Sequence, residues 1–312
     1  MTGINGFIGK RLAEHLVKHG VKIKALVRNK QLKSLDPNIE YIYGDLLHKG
    51  TLPPLLNNCD IFINCAAEIK NQELMFDINV ESTRKLLNLA RKHFICYGTK
   101  IHWIQLSSVG AYGMGNEGDN SIRRITESSP HSPDNMYERT KTLADELIME
   151  AGLSSYITYT LLRPSAVFGT SMPNNSLRQL IKVVKSKYFF YIGDGNGILN
   201  YIHVDDVCNA IIKCLFNEAA KNQIFNLSND CSQQDLITSI ARLSGIRSPS
   251  LHINRTILLL ATKIIEPFLR LPLTRSRIRS LTSKNFYSTD KIEKILNFKP
   301  EYKLTDRISD LF

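Results

Sequence analysis

Tyr137 and Lys141 are the two side chains whose types and spacing most directly suggest chemistry in this 312-residue sequence. They lie four residues apart in a segment with helical periodicity, so both project from one face of the predicted helix. The ammonium group of the lysine favours the phenolate and is expected to lower the pKa of the tyrosine. Tyr137 is therefore predicted to exchange a proton with a substrate hydroxyl, with the charge of Lys141 assisting.

Ser108 is the third residue predicted to take part in this proton transfer. It follows an apolar run at 100–106, and such a strand of a parallel sheet ends at the ligand cleft. Its hydroxyl is predicted to hydrogen-bond the reacting oxygen, and the adjacent Ser107 is predicted to contact the substrate. A tyrosine and a lysine at this spacing also occur on solvated helix faces, so the prediction depends on the accompanying motifs.

A glycine-rich loop at the N-terminus predicts a phosphate-binding turn. The spacing is G-x-x-G-x-x-G, and a predicted helix at 7–19 and a strand at 21–27 follow it. The glycines let the backbone approach a pyrophosphate, and the start of the helix directs its free N–H groups at the phosphates. The loop residues predicted to bind a dinucleotide are Gly3, Asn5, Gly6, Phe7, Ile8 and Gly9.

Only Met1 and Thr2 precede this loop, where a dinucleotide-binding sheet has its central strand of about five residues. Without that strand, the backbone groups of its neighbours would lack partners. Two alternatives follow: the natural protein begins upstream of Met1, or these two residues anchor the loop unaided.

The residues after the second and third predicted strands bear on the choice of cofactor. An acidic residue after the second strand would bind the adenine ribose, whereas a cation there pairs with a 2′-phosphate. The sequence has Arg28 and Lys30 and favours NADP over NAD, unless these side chains stack on adenine or face solvent. Asp45 and Leu46 are predicted to hold the adenine, with an Asx-type turn as the alternative.

Strand and helix signals alternate through the first half of the chain. Strands are predicted at 21–27, 41–43, 60–66, 100–106 and 156–162, and helices at 7–19, 78–93 and 135–151. This order predicts an α/β fold with a Rossmann-type, doubly wound parallel sheet.

The pattern changes after residue 164, where segments shorten and loops contain Gly and Asn. We expect 1–164 to form an NAD(P)-binding domain and 165–312 to form mainly a smaller substrate-binding lobe. A helix at 204–217 is expected to return to the first domain.

The composition is that of a globular protein, with 43% hydrophobic and 22% charged residues. The net charge of +11 suits anionic partners without choosing among them. The six cysteines include no C-x-x-C pair, which indicates reduced structural cysteines and no metal site. With no signal peptide and no apolar run of ~20 residues, we expect a cytoplasmic protein.

Seven motifs occur in an order that resembles a known family. They are T-G-I-N-G-F-I-G at 2–9, N-C-A-A at 64–67, N-V at 79–80, S-S-V-G-A-Y-G at 107–113, Y-x-x-x-K at 137–141, R-P-S at 163–165 and Y-I-H-V-D-D at 201–206. Over essentially its whole length, the chain resembles the extended short-chain dehydrogenase/reductase family, in its NAD-dependent, nucleotide-sugar epimerase/dehydratase branch.

The resemblance implies a catalytic triad of Ser108, Tyr137 and Lys141. Tyr137 and Lys141 are also predicted to bind the cofactor, Lys141 through a hydrogen bond to the nicotinamide ribose. It also implies that His203 and Asp206 have structural roles. The further cofactor-binding residues that it implies are Ala66, Ala67, Asn79, Pro164 and Ser165.

One departure from the family pattern concerns the substrate. In the family that this chain resembles, UDP-galactose-type epimerases usually carry an arginine just before the tyrosine of the Y-I-H motif. This chain has Asn200 at that position. The role of this cation in binding a diphosphate is expected to shift to Arg275, Arg277 or Arg279, with Arg279 as the predicted ligand. A solvated basic turn is the alternative.

The apolar segment at 257–269 precedes this arginine run and is too short and too charged to span a membrane. It is predicted to pack as a helix of the lobe. Peripheral contact with an anionic membrane surface through 257–279 is the alternative.

These features predict an NAD(P)-dependent enzyme acting at C4 of a nucleotide-diphosphate sugar. A 4-keto-6-deoxy-sugar reductase of surface-polysaccharide biosynthesis is favoured, because Arg28 suits exchangeable NADPH. The alternatives are a UDP-sugar 4-epimerase with tightly bound NAD and a sterol-type hydroxyl dehydrogenase. The resemblance also suggests a homodimer through the helices at 78–93 and 135–151, and no nucleic-acid partner is expected.

Overall fold

The computed structural model describes residues 1–31, 36–48, 50, 52–115, 121–265 and 275–312. Its strands are β1 (Ile23–Val27), β2 (Ile39–Tyr43), β3 (Ile61–Asn64), β4 (Ile101–Leu106), β5 (Arg123–Ile125), β6 (Ile157–Pro164), β7 (Ala166–Phe168), β8 (Tyr191–Ile192), β9 (Ile198–Leu199), β10 (Tyr201–His203), β11 (Gln223–Leu227), β12 (Cys231–Ser232), β13 (His252–Ile253) and β14 (Asn285–Tyr287). Its α-helices are α1 (Phe7–Lys18), α2 (Gln72–Phe76), α3 (Ser82–Tyr97), α4 (Met136–Leu153), α5 (Ser176–Lys185), α6 (Val204–Cys214), α7 (Gln233–Leu243), α8 (Arg255–Ile265), α9 (Arg275–Thr282), α10 (Asp290–Leu296) and α11 (Leu304–Arg307).

A parallel sheet lies at the centre of the molecule. Four of its strands pair in the order β11-β6-β4-β3, and β1 pairs with β2. Met1 and Thr2 join these two groups, because Leu26 donates a backbone hydrogen bond to Met1 O at 2.9 Å and Thr2 donates one to Ile63 O at 3.0 Å. These two residues therefore occupy the central position that the sequence assigns to a strand.

Helices cover both faces of this sheet. On one face, α1 and α6 share a core that includes Leu12 and Ile211. On the other face, α3 and α4 pack over a core that contains Leu86 and Trp103. The predicted α/β fold with a Rossmann-type, doubly wound parallel sheet is confirmed.

The ends of the predicted helices differ from those in the structure, and the differences are largest for two of them. The helix predicted at 78–93 is α3, which follows the π-helical turn Asp77–Glu81 and continues until Gly98 adopts a left-handed φ of 69°. The helix predicted at 204–217 is α6, which stops at Cys214 because the backbone of Leu215 is extended.

A second hydrophobic core lies under α5 and α7 and includes Leu177, Ile181 and Ile240. Two later elements join the first core instead. β11 pairs with β6 in the main sheet, and α10 contributes Ile292 to the core shared with α1 and α6. The division into a domain at 1–164 and a lobe at 165–312 stays a prediction.

Among the described residues, no helix has the length and apolar character needed to cross a membrane. The cysteines, all of which lie in the described part of the chain, are free. The segment at 257–279 begins within α8 and ends within α9, and its residues 266–274 lie outside the described residues.

Candidate active site

A cleft of about 2350 Å³ follows the carboxyl ends of the parallel strands and continues into the second lobe. Most residues predicted from the sequence to form the site line it. These are Gly3, Asn5, Gly6, Phe7, Ile8, Gly9, Ala67, Ser107, Ser108, Tyr137, Lys141, Pro164 and Ser165. The predicted residues Arg28, Asp45, Leu46, Ala66, Asn79 and Arg279 do not line this cleft.

The glycine loop is packed too tightly for side chains at two of its glycines. Gly3 has a φ of 72°, and a Cβ atom added to it would lie 2.7 Å from the backbone nitrogen of Ala66. A Cβ atom on Gly9 would lie 2.0 Å from the carbonyl oxygen of Gly3. The loop therefore brings the start of α1 directly against the sheet, as a dinucleotide turn requires.

The start of α1 fits the pyrophosphate of a nicotinamide dinucleotide. Gly6 caps the helix without a side-chain hydrogen bond, and the first turn contains no acidic residue. Backbone N–H groups at such a helix start have no intrahelical acceptor, and the helix dipole favours an anion there. This chain can hold the cofactor through Gly6 and the first turn that follows it.

Tyr137 and Ser108 meet at the middle of the cleft. Tyr137 is half-buried in the first turn of α4, and its phenol hydrogen-bonds the side chain of Ser108. The Ser108 hydroxyl also accepts a hydrogen bond from the backbone of Gly110 at 3.0 Å, which caps the short helical turn Val109–Tyr112. The serine hydroxyl is thereby held beside the phenol, where both can contact one substrate oxygen.

Lys141 is buried one turn further along α4. Its Nζ donates a hydrogen bond to the carbonyl oxygen of Leu106, at the end of β4, at 2.5 Å. Burial lowers the pKa of the Lys141 ammonium, while the negative charge of Asp145 raises it. The contact fixes α4 against β4, which Ser107 and Ser108 directly follow.

The expected lowering of the Tyr137 pKa is wrong for this structure. Burial raises the pKa of Tyr137 to about 12, and the charges of Asp145 and Glu138 also raise it, while the hydrogen bond with Ser108 lowers it. The spacing of Tyr137 and Lys141 predicts a cation beside the phenol, whereas the Lys141 ammonium donates to the carbonyl oxygen of Leu106. The phenol is therefore neutral at pH 7.

A buried ionic network that the sequence motifs do not predict lies beneath the predicted catalytic residues. Asp145 is fully buried, and its Oδ2 accepts hydrogen bonds from Ser107 Oγ at 2.7 Å and from Arg163 Nη2 at 3.1 Å. Arg163 also donates to the phenol oxygen of Tyr112 at 2.9 Å. Ser107, predicted to bind substrate, thus lines the cleft while its hydroxyl hydrogen is engaged with Asp145.

The spacing of Asp145 in the sequence could have revealed its place in this network. It follows Lys141 by four residues, as Lys141 follows Tyr137, so all three share one face of α4. Ala144, which precedes Asp145, and Ile148, which lies about one helical turn after it, are both buried. A carboxylate on the apolar face of a helix requires a partner, which Arg163 supplies.

Asn79 positions the loop that follows β3. Its amide oxygen accepts a hydrogen bond from the backbone of Glu68 at 2.8 Å, and its Nδ2 donates to Glu68 O at 3.1 Å and to Thr140 Oγ1 at 3.0 Å. In the same loop, Ala66 donates its backbone N–H to Thr2 Oγ1 at 3.3 Å. Direct contact of Asn79 or Ala66 with the cofactor stays a prediction.

The two strand ends predicted to contact the adenosine half lie outside the cleft. Arg28 is exposed directly after β1, and its charge contributes to lowering the pKa of Glu68. Asp45 Oδ1 accepts a hydrogen bond from the backbone of Leu47 at 3.0 Å, which is the Asx-type turn given as the alternative. Their contacts with the cofactor stay predictions.

The remaining predicted residues make hydrogen bonds at the edge of the cleft and behind it. Ser165 lines the cleft, and its Oγ accepts a hydrogen bond from Ser228 at 2.9 Å. His203 Nδ1 accepts from the backbone of Asp205 at the start of α6. Asp206 accepts from two backbone N–H groups, those of Glu301 and Tyr302. These hydrogen bonds suit structural roles for His203 and Asp206, which stay predictions, and His203 also lines the cleft.

Of the two candidate cations in the basic run whose side chains the structure describes, Arg277 lines the cleft and Arg279 does not. Arg277 Nη2 donates to Gln179 Oε1 at 3.1 Å and so joins α9 to α5. Arg279 Nη2 contacts the carbonyl oxygen of Gly115 at 3.4 Å. The side chain of Arg275 lies outside the described residues.

Comparison with known proteins agrees with this geometry. Residues 1–228 match the model of the NAD dependent epimerase/dehydratase family. The chain is 26% identical over 301 residues to the N-acetyl-alpha-D-glucosaminyl-diphospho-ditrans,octacis-undecaprenol 4-epimerase of Escherichia coli O157:H7, covering 94% of this chain and 86% of that protein. It is 24% identical to the decarboxylating sterol-4-alpha-carboxylate 3-dehydrogenase of Mus musculus, covering 96% and 86% of the two chains.

The fold also matches solved structures. The UDP-glucuronic acid 4-epimerase from Bacillus cereus, in complex with NAD, superposes with a TM-score of 0.74 at 18% identity. The match covers 99% of this chain and 95% of that chain. At this level of identity, the likeness concerns the fold.

Proposed function

Because the chain belongs to the NAD-dependent epimerase/dehydratase family and is an NAD(P)-dependent enzyme, we propose that it oxidises and reduces C4 of a sugar linked to a diphosphate. The observation that carries the proposal is the contact between Tyr137 and Ser108 in the cleft that also holds the glycine loop. A proton-transfer group and a dinucleotide site in one cleft are what this chemistry requires.

Each catalytic side chain has a defined task in this proposal. When bound, the nicotinamide cofactor supplies the hydride acceptor or donor for C4. During oxidation the phenolate form of Tyr137, a minor fraction at pH 7 because its pKa is raised to about 12, takes the proton of the C4 hydroxyl at Oη. During reduction the phenol returns this proton, and in both directions Ser108 hydrogen-bonds the same substrate oxygen. Lys141 and Asp145 hold α4 against the strand ends, so the phenol stays aligned with the substrate.

We propose 4-epimerisation as the complete reaction. The relative from Escherichia coli O157:H7, which is 26% identical to this chain, is named as a 4-epimerase. An epimerase oxidises C4 and then reduces it on the opposite face, so it consumes no net cofactor. This ranking departs from the sequence argument, which favoured a reductase.

Reduction of a 4-keto-6-deoxy sugar is the second candidate. The exposed cation of Arg28 directly after β1 favours it, because a positive charge there suits the 2′-phosphate of NADPH. A reductase consumes NADPH in each turnover and therefore requires a cofactor that exchanges with solution. The family motifs of the sequence favour a nucleoside diphosphate as the carrier of the sugar.

Product analysis of the purified protein tests these reactions. UDP-N-acetylglucosamine is supplied first and its 4-epimer followed by proton NMR. A UDP-4-keto-6-deoxy sugar with NADPH then reports reduction through loss of NADPH absorbance, and a 3β-hydroxysterol with NAD reports the sterol alternative. Turnover of the sterol alone would overturn the proposal, and NADPH loss without 4-epimer would select the reductase.

We also propose that the chain forms a homodimer through α3 and α4. Exposed apolar side chains on these helices include Ile95, Tyr97 and Leu143, and exposed apolar patches are typical of interfaces. Light scattering measures the mass in solution. A dimer that becomes a monomer in Leu143→Glu is the expected result, and a monomeric native protein would contradict it.

A further inference from the structure

The outer end of the cleft has an apolar wall that the proposed sugar chemistry does not use. Half-buried Leu180 and exposed Val183 of α5 line it, and Tyr188 and Phe190 extend it towards β8. Val183 is 42% exposed and Tyr188 is 80% exposed. Large apolar side chains that face an open groove indicate a ligand with apolar surface.

Charge at this end of the cleft suits a diphosphate. Among the described residues that line it, at 170–201 and 277–287, none is acidic, whereas Lys182 and Arg277 are basic. The hydrogen bond from Arg277 to Gln179 holds the α9 cation against α5, beside the apolar wall. Positive charge and apolar surface therefore occur together along α5.

The apolar surface continues beyond the cleft. α9 contributes Leu281 to the lining and packs against α8. On α8, Ile257 is 63% exposed and Leu260 is 58% exposed. A nucleoside is compact and has polar edges that require donors and acceptors, whereas a long hydrocarbon chain can follow this surface outwards.

We propose that the sugar acted on by this protein is carried by an isoprenoid diphosphate, whose hydrocarbon chain lies along Leu180, Val183, Tyr188 and Phe190. This inference rests on the proposed chemistry at C4. An isoprenoid chain takes the place of the nucleoside that the family motifs favour. The diphosphate lies in the basic part of the cleft, and the chain leaves it towards α8.

Direct binding tests the carrier without requiring turnover. Farnesyl diphosphate, inorganic diphosphate and UDP are titrated into the protein by calorimetry, below the concentration at which farnesyl diphosphate forms micelles. The same titrations are made with the double variant Val183→Ser/Tyr188→Ser. Phe216→Ser is the matched control, because Phe216 is an exposed aromatic residue outside the cleft.

In the native protein, farnesyl diphosphate is expected to bind at least about tenfold more tightly than inorganic diphosphate. The double variant is expected to lose that advantage, and the control variant to keep it. UDP binding tighter than that of farnesyl diphosphate, or an isoprenoid advantage that survives in the double variant, would overturn the inference. The proposed function would fail separately, through absence of turnover on both a UDP-sugar and an isoprenoid-diphosphate sugar.

Discussion

The hydroxyl of Ser107 donates a hydrogen bond to Oδ2 of Asp145 across 2.7 Å, and this contact ties the end of β4 to the helix that carries Tyr137. The same oxygen accepts from Arg163 at the end of β6. Asp145 therefore connects two strand ends to the face of α4 that presents Tyr137 and Lys141. Its negative charge also raises the pKa of both of these residues.

Asp145→Asn is expected to shift the pH dependence of substrate oxidation to lower pH. The Asp145 charge raises the Tyr137 pKa, so its removal lowers that pKa and the phenolate forms at lower pH. Because Arg163 then lacks its buried partner, we also expect a loss of unfolding free energy of about 3 kcal/mol. The measurement is kcat/KM across pH, together with thermal unfolding.

Glu146→Gln is the control for this prediction, because it removes an exposed carboxylate from the next position of α4. The control should leave the pH profile unchanged. A folded Asp145→Asn protein with the native pH midpoint would show that the carboxylate has only a structural role.

Tyr137→Phe is expected to lower kcat by roughly 10²–10⁴-fold, because it removes the group that moves the proton. Ser108→Ala should cause a smaller loss, since it removes one hydrogen bond to the reacting oxygen. Neither substitution alters the glycine loop, so NAD binding measured by fluorescence should persist in both variants. Full turnover by Tyr137→Phe would contradict the catalytic assignment.

The sequence predicted the parts of the site that depend on local spacing. The glycine loop is recognised from glycines at intervals of three residues. The shared face of Tyr137 and Lys141 follows from their interval of four residues, which helix geometry converts directly into positions. The doubly wound sheet followed from the alternation of strand and helix signals.

The partners of these side chains depend on contacts between distant segments. The lysine meets Leu106 and the aspartate meets Arg163 only after β4, β6 and α4 have packed together. The raised pKa of Tyr137 also depends on burial in that packed arrangement, which a local pattern of cations does not report. The place of β11 in the main sheet is likewise a long-range pairing, with β6.

Gly9→Ala is expected to abolish cofactor binding and to lower the melting temperature. Its Cβ atom would lie 2.0 Å from the carbonyl oxygen of Gly3, so the loop or α1 must move. Gly6→Ala is the matched comparison, because its Cβ atom would lie 3.2 Å from the same oxygen and requires only a small shift. Calorimetric titration with NAD and NADPH should rank Gly6→Ala above Gly9→Ala, and equal affinities would contradict the close packing of the loop.

His102 provides a test of stability against pH that does not involve catalysis. It lies in β4, is 6% exposed, and its two ring nitrogens contact Thr158 Oγ1 at 2.9 Å and Thr160 Oγ1 at 3.1 Å. Thr160 donates its own hydroxyl hydrogen to Ala220 O, so the imidazole Nε2 must donate to Thr160, and Nδ1 accepts from Thr158. Burial lowers the pKa of His102 to about 4, so the folded protein holds this neutral form.

In the unfolded chain, His102 takes up a proton near pH 6.5, whereas in the folded protein it does so only near pH 4. The stabilisation is therefore present above pH 6.5 and is lost as the pH falls towards 4, with a total of about 3 kcal/mol. Denaturant unfolding of the native protein and of His102→Gln should give curves whose difference changes over this window. The exposed His19→Gln variant should follow the native curve, and a constant difference between the native protein and His102→Gln would contradict the lowered pKa.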